Sequence, residues 1–155
     1  LNLVNDTLEL SRIESGKIEL SEELINVNKH ISGLEDMFRL SMESKGLQFI
    51  VINDTFTQCI YSDSSRLSQV IANLLSNAMK FTNKGGTVTY HVIETETDND
   101  YIAKFDIHIS DTGIGMSEEF QKHLFQPFER ERSATVSGVE GTGLGLSIAK
   151  RIADL

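Results

Sequence analysis

The chain has little of several things on which other proteins rely. Among its 155 residues there is one cysteine, one proline and no tryptophan. The lone Cys59 excludes an intrachain disulfide and a cysteine-rich metal site. It fits a reducing compartment and reads as a small, half-buried thiol in a strand. No apolar run approaches the ~20 residues of a membrane span, and no basic start with an apolar centre marks a secretory leader. Positive charge is also scarce. Lys and Arg number 14 against 23 Asp and Glu, a formal charge of −9. That argues against a nucleic-acid surface. It also requires any phosphate site to be local, built from backbone N–H groups, a few cations and a metal ion.

What is present suits one compact globular domain: 39% hydrophobic and 24% charged residues, without internal repeats. The opening LNLVNDTLEL reads as the start of a piece cut from something longer. Leu1, Val4 and Leu8, and again Leu3 and Leu10, give helical spacing with more than one apolar edge, ended at Gly16. Lys17-Ile18-Glu19-Leu20 reads as a strand. Ile31, Leu34, Phe38 and Met42 mark an amphipathic helix stopped near Gly46. Strands are expected over 47–52, 59–61, 87–95 and 101–110. In the last, Ala103, Phe105, Ile107 and Ile109 alternate with Lys104, Asp106 and His108, as in a strand with one buried face. Asp63 is the expected N-cap of a long helix ending near Thr82, before a turn at Asn83-Lys84-Gly85-Gly86. A short helix is expected over 117–124 and an irregular polar stretch over 126–140, then a final helix. This order predicts an α/β two-layer sandwich, one mixed sheet covered on one face by helices.

The long helix carries the first chemistry. At roughly 100° per residue, Gln69, Asn73, Asn77 and Lys80 fall in one stripe, opposite Leu67, Val70, Ile71, Leu74, Leu75 and Ala78. Glu and Lys are the better helix formers on a solvated face, so two asparagines one turn apart are costly unless their side chains have partners. A carboxamide oxygen is a hard ligand suited to Mg²⁺, and Lys80 can meet phosphate as a point charge. A merely polar helix face is the competing reading.

Two glycine clusters follow. Asp111-Thr112-Gly113-Ile114-Gly115 lies where a strand becomes a loop. Its Asp can accept from an exocyclic amine and so select adenine over guanine; a tight turn is the plainer alternative. Gly141-Thr142-Gly143-Leu144-Gly145 opens a helix whose N–H groups can face phosphate, or is simply a flexible loop and helix start. It lacks the strand context of a dinucleotide fingerprint and the Gly-Lys-Ser/Thr of a Walker A loop. Between them, Phe125 and Phe128 flank Pro127, as hinge residues of a cover, as core aromatics, or as both. The stretch to Glu140 is long enough to suggest a functional lid.

The order of these motifs is far more specific than any one of them: N-x-x-x-N on a helix, D-x-G-x-G, F-x-x-F, then G-x-G-x-G. Across almost its entire length the chain resembles the catalytic ATP-binding domain of sensor histidine kinases. That family lies within the wider gyrase, chaperone, histidine kinase and mismatch-repair ATPase superfamily. The resemblance implies a Bergerat-type ATP-binding fold with a mobile lid. It implies that Asn73 ligates Mg²⁺, with Asn77 and Lys80 near the phosphates of ATP and Phe81 beside the nucleotide. Asp111 would bind the adenine amino group, with Gly113, Ile114 and Gly115 lining that end. Phe128 and Arg130 would approach from the lid, and Gly141, Thr142, Gly143, Leu144 and Gly145 would wrap the phosphates.

Residues 1–16 look like the end of the second dimerisation helix that precedes this domain in the family, and 17–155 like the catalytic domain, short of a further strand usual there. None of His30, His91, His108 and His123 has the setting of the family's phosphoacceptor, so the acceptor is expected on another domain of the parent protein. A response-regulator receiver domain would lie downstream, in a cytoplasmic setting without membrane contact by this chain. Gln69 stands where the superfamily's ATPases carry a Glu that activates water. A Gln cannot act as a general base at neutral pH, so it favours phosphotransfer over hydrolysis; it could orient the acceptor imidazole or a water, or simply fill a polar helix face. An ATPase that drives conformational change, and a nucleotide-sensing module without catalysis, are the alternatives.

Overall fold

The computed structural model describes residues 2–15, 19–130 and 141–155. Helix α1 (Asn2–Glu14) leads to strand β1 (Glu23–Asn26), helix α2 (Val27–Ser44), strands β2 (Gln48–Asp54) and β3 (Cys59–Ser62), and helix α3 (Ser64–Phe81). Strands β4 (Thr87–Thr95) and β5 (Lys104–Asp111), the short helix α4 (Glu118–Gln121) and helix α5 (Gly145–Ala153) complete the order.

Local chemistry sets the ends of the two long helices. Asn26 caps α2 by accepting from the Lys29 N–H at 2.9 Å. Gly46, with φ +74°, closes it. The Gly46 N–H donates to the Glu43 carbonyl at 2.8 Å and the Leu47 N–H to Met42 at 3.0 Å, the pairing that a left-handed residue makes possible. Asp63 caps α3 through the Arg66 N–H at 2.9 Å. At its far end the Lys45 ammonium donates to the carbonyls of Met79 and Lys80 at 2.6 and 2.9 Å, a cation at the negative helix end.

Strand β4 is the spine of the sheet. It pairs in parallel with β2 and antiparallel with β5. Val88, Tyr90, Val92 and Glu94 face inward in strict alternation. Ile31, Leu34, Phe38 and Met42 of α2 and Ile71, Leu75 and Ala78 of α3 cover that face. A second, smaller core joins Leu10 and Ile13 of α1 to Leu144, Ile148 and Ile152, with Val70 of α3 packed against it.

Several expectations are corrected. Lys17 and Ile18 lie outside the described residues, as do Gly16 and 131–140; Glu19 and Leu20 form no strand, and the first strand is β1. Among the described residues the strands form two sheets, not one: β1–β3, and β2–β4–β5. A cavity of about 1000 Å³ separates them, lined by Ile31, Ile60, Tyr90, Phe105 and Ile107 among others. Cys59 is exposed because its strand lies at this margin. β5 begins at Lys104 rather than 101, because 99–103 is held as a turn by the Ile102 N–H on the Asn99 carbonyl at 3.0 Å. α4 spans Glu118–Gln121 only, so His123 sits in a turn.

Candidate functional site

The apolar side of α3 is divided between the two cores. Ile71, Leu75 and Ala78 serve the sheet and Val70 the second core. Gln69, Asn73 and Asn77 remain partly exposed beside these faces, and Lys80 is exposed. The carboxamides of Asn73 and Asn77 and the Lys80 ammonium make no hydrogen bond among the described residues. Asn73 faces the start of α5: a Cβ built on Gly145 would lie 3.4 Å from Asn73 Oδ1. The N-cap position there, Leu144, offers no side-chain cap, so among the described residues no side chain caps the first N–H groups of α5, which suit an anion.

The other end of the site is built at the C-terminus of α3. Asp111, the last residue of β5, accepts from the Gly113 N–H through Oδ1 at 2.8 Å. The buried Thr82 hydroxyl lies 3.5 Å from the same oxygen and 2.6 Å from the Ala78 carbonyl. Asp111 Oδ2 has no partner among the described residues. Ile114 donates its N–H to the Phe81 carbonyl at 3.2 Å, fixing the first glycine loop to the helix. A Cβ on Gly113 would sit 2.5 Å from the Phe81 carbonyl oxygen and 2.6 Å from Asp111 Oδ1, so only glycine fits. Gly115 turns the loop at φ +69° and leaves Ile114 exposed. About 14 Å of helix separates Thr82 from Asn73, comparable with the length of an extended nucleoside triphosphate.

The phenylalanine segment meets the second glycine cluster directly. Phe128 N–H donates to the Gly143 carbonyl at 2.9 Å. A Cβ on Gly143 (φ +73°) would come within 2.9 Å of the Phe128 backbone. Phe128 itself has φ +67°, a conformation costing about 1–3 kcal/mol in a non-glycine residue. Phe125 and Phe128 are exposed, so they are not the core aromatics that one reading allowed. Arg130 and Gly141 are exposed at the two ends of the described segments. Thr142 is partly buried and Leu144 fully so.

Three residues of consequence went unassigned from sequence. Thr82 backs Asp111, and a threonine just past a helix reads as an ordinary stop. Glu9 pairs with the Arg66 guanidinium and accepts from Gln69 Nε2 at 2.6 Å. Asp6 accepts from the Thr142 hydroxyl at 3.2 Å. The last two contacts join positions more than 50 residues apart, which no local pattern signals.

Residues 62–155 match the model of the histidine kinase-, DNA gyrase B-, and HSP90-like ATPase family. The chain belongs to that family. Hybrid signal transduction histidine kinase L of Dictyostelium discoideum is 34% identical over 156 residues, covering 100% of this chain and 9% of that protein. The autoinducer 2 sensor kinase/phosphatase LuxQ of Vibrio parahaemolyticus serotype O3:K6 (strain RIMD 2210633) is 34% identical over 158 residues, covering 100% of this chain and 18% of LuxQ. The chain therefore spans less than a fifth of the length of either relative. The crystal structure of full-length ShkA in complex with AMPPNP aligns with a TM-score of 0.80 at 25% identity, over 99% of this chain and 30% of that one. The α/β architecture is thus the Bergerat-type ATP-binding fold of histidine kinases.

Proposed function

We propose that this chain binds MgATP along the exposed stripe of α3 and presents the γ-phosphate to a histidine on a phosphoacceptor domain of the same parent protein. The observation that carries the reading is the pairing of two open ends on one helix. Asn73, whose carboxamide has no partner among the described residues, lies against the start of α5, where Leu144 provides no side-chain cap. At the other end, the Gly113 N–H fixes Asp111 Oδ1, and Oδ2, without a partner among the described residues, is left for an exocyclic amine.

The metal fits the residues present. No cluster of three His, Cys, Asp or Glu among the described residues could hold an ion. One carboxamide oxygen, completed by phosphate oxygens and water, is the sparse ligand set Mg²⁺ accepts. When bound, the ion would neutralise charge between adjacent phosphates. The chain's own contribution is positioning: Asn77 and Lys80 beside the phosphates, the α5 N–H groups behind them, and Asp111 fixing the base. The attacking imidazole, supplied from outside, forms a bond to the γ-phosphorus as the bond to the β,γ-bridging oxygen breaks.

On this reading 1–16 is the end of a dimerisation helix and 17–155 the catalytic domain. The cavity between the free edges of β3 and β5 suits a further strand. A receiver domain takes the phosphoryl group onward, in the cytoplasm. The test supplies this chain with [γ-³²P]ATP and a phosphoacceptor domain from its parent. Label is expected on a histidine, and Asn73→Ala is expected to lower the rate at least a hundredfold. Label that never reaches histidine, with hydrolysis equal in both proteins, would overturn phosphotransfer.

A further inference from the structure

Helix α1 reaches both walls of the proposed site with acidic side chains. Asp6 and Glu9, three positions apart, share one helix face with the buried Leu10 and Ile13. Glu9 pairs with the Arg66 guanidinium through Oε1 and accepts from Gln69 Nε2 through Oε2 at 2.6 Å. Arg66 Nη1 also donates to Gln69 Oε1 at 2.9 Å, which fixes which end of that carboxamide points where. On the other wall Asp6 Oδ2 accepts from the Thr142 hydroxyl at 3.2 Å. That hydroxyl in turn accepts from the Leu144 N–H at 3.3 Å. Both carboxylates are partly buried, so neither is merely a solvated surface charge.

The partners on the nucleotide side are all donors: a guanidinium, a carboxamide NH₂ and a hydroxyl. These are the groups with which a protein meets phosphate oxygens. We propose that Asp6 and Glu9 form an intramolecular latch, in which two carboxylates of α1 occupy donors at the phosphate end of the site and compete with bound nucleotide. A triphosphate brought to Asn73 repels both carboxylates in a chain already at −9. Coupling of this kind is reciprocal: nucleotide loosens α1, and a loosened α1 favours nucleotide. While the latch is closed, Gln69 points at α1 and not at an incoming acceptor. The inference rests on the nucleotide-site reading above.

The experiment compares the chain with its isosteric double variant Asp6→Asn, Glu9→Gln by calorimetric titration with MgATP and, separately, with adenosine. MgATP is expected to bind about fivefold tighter or more in the variant, at the low end of typical couplings. Adenosine, which has no phosphates, should bind both proteins alike. In the unaltered chain, a non-hydrolysable MgATP analogue should speed hydrogen exchange of the α1 amides. Unchanged or weaker MgATP binding in the variant, or an equal gain for adenosine, overturns the latch. If the variant does not fold, the exchange measurement decides: α1 protection unmoved by the analogue overturns it as well. If the unaltered chain binds no MgATP, the nucleotide reading itself falls and takes the latch with it.

Discussion

The two oxygens of Asp111 differ in their surroundings. Oδ1 holds the loop through the Gly113 N–H, and Oδ2 has no partner among the described residues. Asp111→Asn keeps an oxygen for Gly113 but would turn an NH₂ toward the amine of the proposed adenine, donor against donor. A charge-assisted bond of this type contributes ~1.5–3 kcal/mol. ATP binding should therefore weaken about tenfold or more while GTP binding changes less, as titration of both nucleotides would show. Equal losses would remove the adenine assignment. Gly113 is a different kind of site residue. Its position was legible from the D-x-G-x-G spacing, but the reason for it was not. The Phe81 carbonyl that excludes a Cβ comes from another element. Phe128 reverses the case, since nothing in F-x-x-F announces a positive φ at a bulky residue.

At the scale of the element, α3 does the most. Its polar stripe was readable because the α-helical period alone groups Gln69, Asn73, Asn77 and Lys80. Periodicity presents its apolar side as a single face, yet it serves two cores, with Ile71 and Leu75 under the sheet and Val70 against α1 and α5. That division follows from where α5 packs, and α5 is placed by Leu144, Ile148 and Ile152. Ile148 is almost fully buried, so Ile148→Ala should cost about 2–5 kcal/mol in denaturant unfolding. Its local signature should be faster hydrogen exchange in α5 and α1 than in β4, because only the second core is opened. Helix α1 shows the same dependence on context. Of its two apolar edges, Val4 and Leu8 are exposed while Leu10 turns inward with Ile13, and periodicity does not distinguish such edges.

Across the whole molecule, two buried carboxylates tie loops to the frame and make stability depend on pH. Backbone N–H groups of Arg66 and Ser21 hold the Asp63 carboxyl below its ordinary range. For Glu94 burial acts upward, but the Thr57 hydroxyl and the amides of Thr57 and Phe56 outweigh it, leaving the carboxyl lowered. In both, the unfolded chain takes up protons first as pH falls. Their stabilisation is complete above the unfolded values of about 4 and is lost as pH drops through the lower folded values. Urea midpoints should be nearly level from pH 7 to 5 and fall below about pH 4, with a shallower fall in Glu94→Gln. A fall no shallower in that variant would refute the assignment to Glu94. The α/β class, both long helices and the ordered motifs were determined by the sequence itself, because caps, glycine stops and hydrophobic period act within a few residues. Tertiary structure alone decided the split of the sheet, the docking of α1, and the contacts of Asp6 and Glu9 with residues of the proposed site. Those contacts join side chains far apart in the chain, and only packing brings them within hydrogen-bond reach.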